Sequence, residues 1–393
     1  MPRSVIVSAA RTPYGRFGGG LKSLSAVDLG GLAMAEAVRR AGLAPEQIDY
    51  AYMGHVVQAG CGQVTSRQAA RKAGLPWETP SITVNKVCCS GIVSVELADM
   101  RIRSGRDAII VAGGMESMSN VPYSLPTMRW GGRMMDQQVV DLMVHDGLWC
   151  AFHDCHMAVH GSNVSREFGV SREAQDEWAL RSQHRAAASI QAGRLDAEIF
   201  PVTVGTGRTE TVIKRDEGPR GDTTLEALAK LPPVFARDGT VTAGNAPGVN
   251  DGGAAMVIMS ETRAASMGLR PLATIIGTAE VSRSAPYIAT VPGEAMLKVL
   301  AETGVDLRQI DLIEVNEAFA AVALTSGKIV GWDPEKVNVD GGAIAYGHPI
   351  GSSGARILMH LAFALRARGG GYGVACICSG AAQGDAVLIK VDG

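Results

Sequence analysis

Ser90-Gly91-Ile92-Val93-Ser94-Val95 and Ser353-Gly354-Ala355-Arg356-Ile357-Leu358 together decide the fold. Gly91 opens an amphipathic run that ends near Arg106, and Ala112 closes the β-branched run after it. Gly354 opens a similar run that ends near Arg368, and Ala375 lies in the apolar run that follows. The spacings are 112 − 91 = 21 and 375 − 354 = 21, at an offset of 354 − 91 = 263. Gln47-Ile48-Asp49 returns as Gln309-Ile310-Asp311 at an offset of 262. Two matches at nearly one offset suggest a duplicated α/β unit, the alternative being chance similarity between two βαβ units.

Outward from these segments, short β-branched runs alternate with amphipathic ones. Strands are expected at 5–9, 108–112, 254–259, 273–276, 312–315, 372–377 and 386–391. Helices are expected at 26–41, 91–104, 172–192, 294–303 and 353–367. The alternation favours α/β with helices on the faces of a largely parallel sheet. The offset exceeds the length of one half, so something is inserted between them. Residues 119–249 fit that role, being richer in Met, Trp, His and charge, with Ser171 a plausible N-cap for their one strong helix. The expected domains are 1–118 with 250–270, a loop or lid domain at 119–249, and 271–393.

Composition narrows the function. The chain has 393 residues, 46% hydrophobic and 19% charged, enough for buried cores and too apolar for disorder. Its net charge is 37 − 39 = −2, without the basic excess of a nucleic-acid binder. No apolar run reaches the roughly 18 residues of a membrane span. Val5-Ile6-Val7 reads as a first strand and not as a signal or transit peptide. A cytoplasmic protein is expected. The cysteines are 61, 88, 89, 150, 155, 376 and 378. An odd count without a signal peptide argues for reduced thiols.

Four segments carry candidate chemistry. Asn85-Lys86-Val87-Cys88-Cys89-Ser90-Gly91 places Cys88 at a helix N-terminus, where the dipole and free N–H groups favour the nucleophilic thiolate. A small apolar core cysteine is the bland alternative. Cys88-Cys89 lacks further ligands at zinc spacing, and no metal is assigned. In Ala345-Tyr346-Gly347-His348-Pro349, His348 sits on a glycine-rich turn, poorly placed for packing and well placed to donate to a substrate oxygen. Cys376-Ile377-Cys378-Ser379-Gly380 ends a buried strand, with both cysteines on one face and Cys378 at the strand end. In Glu314-Val315-Asn316-Glu317-Ala318-Phe319, Asn316 either caps a helix or holds a water or a substrate carbonyl.

Taken together and in this order, these segments closely resemble the thiolase family. The matching features are the Cys88-x-Ser90-Gly91 turn, Asn-Glu-Ala-Phe, Gly-His-Pro and Cys378-x-Gly380. The likeness runs from Ala9-Ala10-Arg11-Thr12-Pro13 to the last strand and takes in Thr242-Ala243-Gly244-Asn245 and Asn250-Asp251-Gly252. It implies two βαβαβαββ halves in five layers, with a loop domain thrown out from the first. It also implies a homodimer or homotetramer, with residues 128–135 where tetrameric members have their assembly loop.

The resemblance further implies a mechanism. Cys88 is acylated by a thioester or 3-ketoacyl group, and Cys378 is the acid/base. His348 and a water on Asn316 form one oxyanion hole, and the backbone N–H groups of Cys88 and Gly380 form the other. Leu148, His156, Met157, Arg220, Phe235, Ala243, Pro247, Ala318 and Phe319 fall at coenzyme A-contacting positions, with Arg220 toward the nucleotide phosphates. No cofactor is implied beyond the coenzyme A thioesters themselves. His156-Met157 favours acetyl-CoA and acetoacetyl-CoA over the longer chains of β-oxidation.

The sequence departs from the family in places. Cys89 replaces a usual Gly or Ala, and Pro247 stands where Ser is common. Ser379, Ala381 and Ala382 interrupt a usual glycine run, so added methyl groups are expected to crowd the second oxyanion hole. Competing readings are a β-oxidation thiolase, a decarboxylating ketoacyl synthase, a non-catalytic acyl-CoA-binding relative and a thiol redox protein. The synthases use Cys-His-His, against which Cys378 and Asn-Glu-Ala-Phe argue. A redox cycle would join Cys88 to Cys89 or Cys376 to Cys378.

Overall fold

A computed structural model describes residues 3–106 and 108–393. The first half runs β1 (Ser4–Arg11), α1 (Ala26–Arg40), β2 (Tyr50–Gly54), α2 (Thr65–Lys72), β3 (Ser81–Val84), α3 (Ser90–Arg103) and β4 (Ile109–Ser117). An excursion follows that contains α4 (Met157–Glu167) and α5 (Arg172–Gln191), and the chain returns as β5 (Asn250–Ser260). The second half runs β6 (Ala273–Ser282), α6 (Val291–Thr303), β7 (Ile310–Val315), α7 (Ala320–Val330), α8 (Ile350–Ala367), β8 (Gly371–Ser379) and β9 (Gln383–Val391). Its counterpart of β3 is reduced to one bridge, Ile313 to Val337.

These strands join edge to edge in the order β7-β8-β9-β6-β1-β5-β4-β2-β3. The halves meet where β1 pairs antiparallel with β6, Ile6 facing Ala273. Parallel pairing is confined to β7–β8, β2–β3 and β2–β4. The sheet is therefore mixed, not largely parallel as expected. Each half ends in an antiparallel pair, β4–β5 and β8–β9. The partners in the first pair are 251 − 117 = 134 residues apart where Asp251 pairs with Ser117, so sequence alternation could not show that they return side by side.

Strand alternation builds the layers. Val5, Ile109, Val111 and Met115 face α1 and α2 in an outer core. Ile6, Ala9, Ile110, Ala112, Ala375 and Ile377 face an inner core filled by α3 and α8. Val374, Cys376, Ile313 and Val315 face α6 and α7 in the other outer core. Helix, sheet, paired helices, sheet, helix is the five-layered arrangement.

The duplication is also visible in single bonds. Asp49 Oδ2 accepts from the Ile109 N–H at 2.9 Å, and Asp311 Oδ2 accepts from the Tyr372 N–H at 2.9 Å. Each aspartate pins the start of the strand that follows its half's central helix.

At the centre, α3 and α8 meet backbone on backbone. A Cβ on Gly91 would lie 2.8 Å from the Ala355 nitrogen, and one on Gly354 would lie 2.5 Å from the Ile92 nitrogen. The two glycines that mark the repeat are the contact between its copies. Overpacking costs about 1–3 kcal/mol where side chains can yield, and here only backbone is available to move. Gly354→Ala is expected to lose about 3 kcal/mol or more in urea unfolding. Gly248→Ala, whose Cβ meets nothing nearer than 3.7 Å, is the control and should lose far less. Equal stability of the two variants would remove the helix contact as the limiting constraint.

Candidate active site

The nucleophile turn is built by short-range bonds. Asn85 Oδ1 accepts from the Val87 N–H at 3.0 Å, and Ser90 Oγ accepts from the Lys86 N–H at 2.8 Å while donating to the Val87 carbonyl at 2.6 Å. These hold Val87 at φ +47°, a left-handed conformation that a β-branched residue adopts only under constraint. The turn leaves Cys88 one residue outside the helix, whose N-cap is Cys89. Ser379 Oγ donates to the Lys86 carbonyl at 2.8 Å, and Lys86 Nζ pairs with Asp385 at 2.7 Å. Both bonds tie the turn to the end of β8 and the start of β9.

Cys88 is nearly buried, and burial pushes its thiol up to about 12. Its own N–H and that of Gly380 both act on the sulfur and oppose the shift without cancelling it. The helix N-terminus alone therefore does not make a resting thiolate, contrary to the sequence expectation, because desolvation outweighs it. A base has to take the proton at the moment of attack.

His348 lines the same cavity as Cys88. Its N–H donates to Asn250 Oδ1 at 2.9 Å, where Gly347 at φ +105° leaves no room for a Cβ. Nδ1 lies 2.6 Å from Ser353 Oγ, and that hydroxyl donates to the Pro349 carbonyl at 2.9 Å. A hydroxyl has one proton, so Ser353 accepts from Nδ1–H and Nε2 carries the lone pair. Burial, then the Arg356 charge, brings the imidazole down to about 3, so it is neutral. Nε2 is 3.5 Å from Asn316 Nδ2.

Asn316 is fully buried just before α7, and its N–H donates to the Cys376 carbonyl at 2.9 Å. Its Oδ1 has no protein partner. It does not cap α7, whose N-cap is Phe319. The corner is held by a residue that sequence reasoning left without a role. Glu317 accepts from Trp178 Nε1 and Asn338 Nδ2, each at 2.9 Å, from Ser182 Oγ at 2.8 Å and from the Ile344 N–H at 3.0 Å. The donors come from α5, the 338 turn and the segment leading to His348.

Cys378 is fully buried, and its thiol is pushed well up by burial and then by the neighbouring Cys88 sulfur. It packs among Phe319, Met157 and Ala382, whereas Cys376 lies in the outer core with Trp178 and Ile313. The same strand face thus carries one cysteine into the core and the other to the site. Cys89 lies in the inner core, and its thiol donates to the Ile377 carbonyl at 3.6 Å.

A cavity of about 310 Å³ opens over these groups. Cys88, His348, Gly380, Leu148, His156, Met157, Phe235, Ala243, Pro247, Ala318 and Phe319 all line it. Asn316 and Cys378 sit behind its wall. Arg220 does not line it. The exposed Arg220 borders an adjoining groove that shares Ala243, Ala246, Gly248 and Val249 with the cavity. The His156 ring stacks on Phe235 at 3.5 Å between centroids and 7° between planes. His156 Nδ1 accepts from the Ala158 N–H at 3.1 Å, so the ring caps α4 and forms cavity wall at once.

Two of the departures have a structural account. Ser379 supplies the bond that ties β8 to the nucleophile turn. Ala381 and Ala382 sit at φ +63° and +51°. That left-handed conformation costs roughly 1–2 kcal/mol per residue.

Comparison with known proteins fits this geometry. The thiolase N-terminal domain profile matches residues 4–262 and the thiolase C-terminal domain profile matches residues 269–391. The chain belongs to the thiolase family. Within it, the chain is 50% identical over 391 residues to an acetyl-CoA acetyltransferase of Escherichia coli K12, covering 99% of each. It is 46% identical over 387 residues to the acetyl-CoA acetyltransferase of Cupriavidus necator, covering 98% of each. The crystal structure of the Bacillus anthracis acetyl-CoA acetyltransferase matches with a TM-score of 0.97 at 40% identity, over 100% of this chain and 99% of that one.

Proposed function

We propose that this thiolase condenses two acetyl-CoA to acetoacetyl-CoA and coenzyme A, and runs the reverse thiolysis, through acetyl-Cys88. The observation that carries the reading is one apolar cavity that Cys88, His348 and Gly380 line together, from the two halves of the chain. His348 Nε2 takes the Cys88 proton as sulfur adds to the thioester carbonyl. The resulting oxyanion accepts from the Cys88 and Gly380 N–H groups. Coenzyme A leaves as the thiol with the proton of Cys378, which becomes the thiolate. That buried thiolate is a strong base because nothing solvates it, and it removes the α-proton of the second acetyl-CoA. The enolate oxygen accepts from His348 Nε2–H and from a water held by the unpartnered Asn316 Oδ1. Its α-carbon adds to acetyl-Cys88, acetoacetyl-CoA departs, and Cys88 regains the proton from His348.

The remaining assignments follow from position. The apolar cavity takes the acyl group and the pantetheine arm, and the groove at Arg220 takes the nucleotide end. The excursion between β4 and β5 serves as the lid. No described helix is long and apolar enough to cross a membrane. We place the enzyme in the cytoplasm, on freely diffusing coenzyme A thioesters and without a catalytic cofactor.

Three measurements test this. Thiolysis should be fastest, as kcat/KM, for acetoacetyl-CoA, since the His156–Phe235 wall limits acyl length. Each added methylene changes binding by only about 1–3 kcal/mol, so the decline should be graded. A greater kcat/KM for a ten-carbon 3-ketoacyl-CoA would replace this reading with the β-oxidation one. Cys378→Ser should still form acetyl-Cys88, located by peptide mass mapping, yet lose about 10²–10⁴-fold in thiolysis. An acetyl group on Cys89, or near-native thiolysis by Cys378→Ser, would overturn the assignment.

A homotetramer is the assembly we favour, because Trp130, Met134 and Met135 are 84%, 84% and 89% exposed on one loop. Large apolar side chains exposed together on one loop are the kind of surface that a partner subunit covers. Replacing all three with serine should reduce the mass in light scattering to that of a dimer. An unchanged mass would remove this loop from the assembly.

A further inference from the structure

Between Leu148 and Met157 the chain forms a tight hairpin that the proposed reaction does not use. Trp149–Cys150 pairs with Cys155–His156, with Cys150 directly opposite Cys155. Residues 151–154 form an exposed turn, with Asp154 at φ +47°. Four metal-ligand side chains lie on and just after this hairpin at the spacing Cys150-x2-His153-x-Cys155-x4-His160. Cys150 Sγ lies 3.7 Å from His153 Nδ1, and Cys155 Sγ lies 3.6 Å from His160 Nε2. Donor atoms of Cys150, His153 and His160 all lie within 4.8 Å of one another. The two imidazoles meet edge to face, with centroids 5.2 Å apart.

These distances have a chemical meaning. Zinc binds thiolate at about 2.3 Å and imidazole at about 2.0 Å, so a tetrahedral site places sulfur and nitrogen about 3.5 Å apart. Both sulfur–nitrogen pairs are already near that value. All seven cysteines are free thiols, so both sulfurs are available.

We propose that Cys150, His153, Cys155 and His160 form a tetrahedral structural zinc site at the base of the lid. Two thiolates and two imidazoles in a tetrahedron select zinc over the hard cations. Binding converts two thiols to thiolates and releases two protons, so affinity rises with pH. The site is separate from the catalytic cavity but mechanically joined to it. Leu148 precedes the hairpin, His156 and Met157 follow Cys155, and all three line the cavity. The Met157 N–H donates to the Leu148 carbonyl at 3.1 Å, closing the hairpin at its foot. A bound zinc fixes the exposed turn and, through it, the acyl-facing wall.

The test is a cobalt(II) titration of the full-length, reduced protein after chelation. The expected result is one equivalent per chain, with the strong visible bands of tetrahedral cobalt and thiolate charge transfer, displaced by zinc. Cys150→Ser and the exposed-position variant His153→Asn should each weaken cobalt binding at least tenfold. Formation of acetyl-Cys88 in each variant shows that it has folded. Absence of tetrahedral bands in the reduced protein would overturn the proposal. Bands that survive in both folded variants would also overturn it, since the metal would then sit on other thiols.

Discussion

The structure turns on the contact between the N-terminal ends of α3 and α8. A helix pair usually keeps its axes 8–10 Å apart because side chains intervene. Here Gly91 faces Ala355, and Gly354 faces Ile92, with no space for a Cβ. Gly114 and Gly54 extend the contact, each approaching the Gly351 carbonyl so closely that a methyl group would collide with it. Cys88 lies three residues before Gly91, and His348 lies six before Gly354. The glycine contact therefore carries Cys88 and His348 to the same cavity from two halves distant in sequence. Any side chain between the helices would have to push apart the two segments that bear Cys88 and His348.

Buried carboxylates lock what the glycines bring together. Glu116, at the end of β4, accepts from the Val56, Val57 and Gly351 N–H groups at 3.1, 3.2 and 3.0 Å. It thereby fastens the start of α8, from the second half, onto the first. Glu317 does the equivalent on the other side with four donors. A buried carboxylate is costly unless its lone pairs are filled, and each of these is filled by groups from elements that must not slide. Removing one donor would leave a charge unsatisfied, so such clusters resist drift of the loops bearing Asn316 and His348.

Legibility in the sequence followed local information. Gly91, Gly354 and the paired Gln-Ile-Asp segments exposed the duplication because each acts within its own short stretch. Cys88, His348, Asn316 and Cys378 stood out because reactive residue types sat on turns too bare for packing. Tyr50–Gly54 was not visible as a strand, since it is buried on both faces and shows no alternation. Ala320–Val330 gave no amphipathic period because most of its sides are buried. Glu317 lay inside a quoted motif, but its role depends on Trp178, Ser182, Asn338 and Ile344, which only folding assembles. The hairpin cluster escaped for a similar reason: Cys150, His153, Cys155 and His160 follow no common zinc spacing, and only the hairpin and the helix after it bring them near one another.

The burial that makes the resting thiols unreactive is also what gives the site its selectivity of action. A thiol held up to about 12 does not ionise in bulk buffer, so in the proposed reaction Cys88 stays protonated until His348 receives its proton. The imidazole, brought down to about 3, returns that proton readily once the charge it balanced has gone. Neither group holds charge at rest in the apolar cavity, and charge appears only when a substrate carbonyl is present to carry it. The two N–H groups on the Cys88 sulfur then meet a developing oxyanion without reorganising, which is where fixed dipoles contribute most. Desolvation is thus not an obstacle the site overcomes but the means by which it confines ionisation to the reaction.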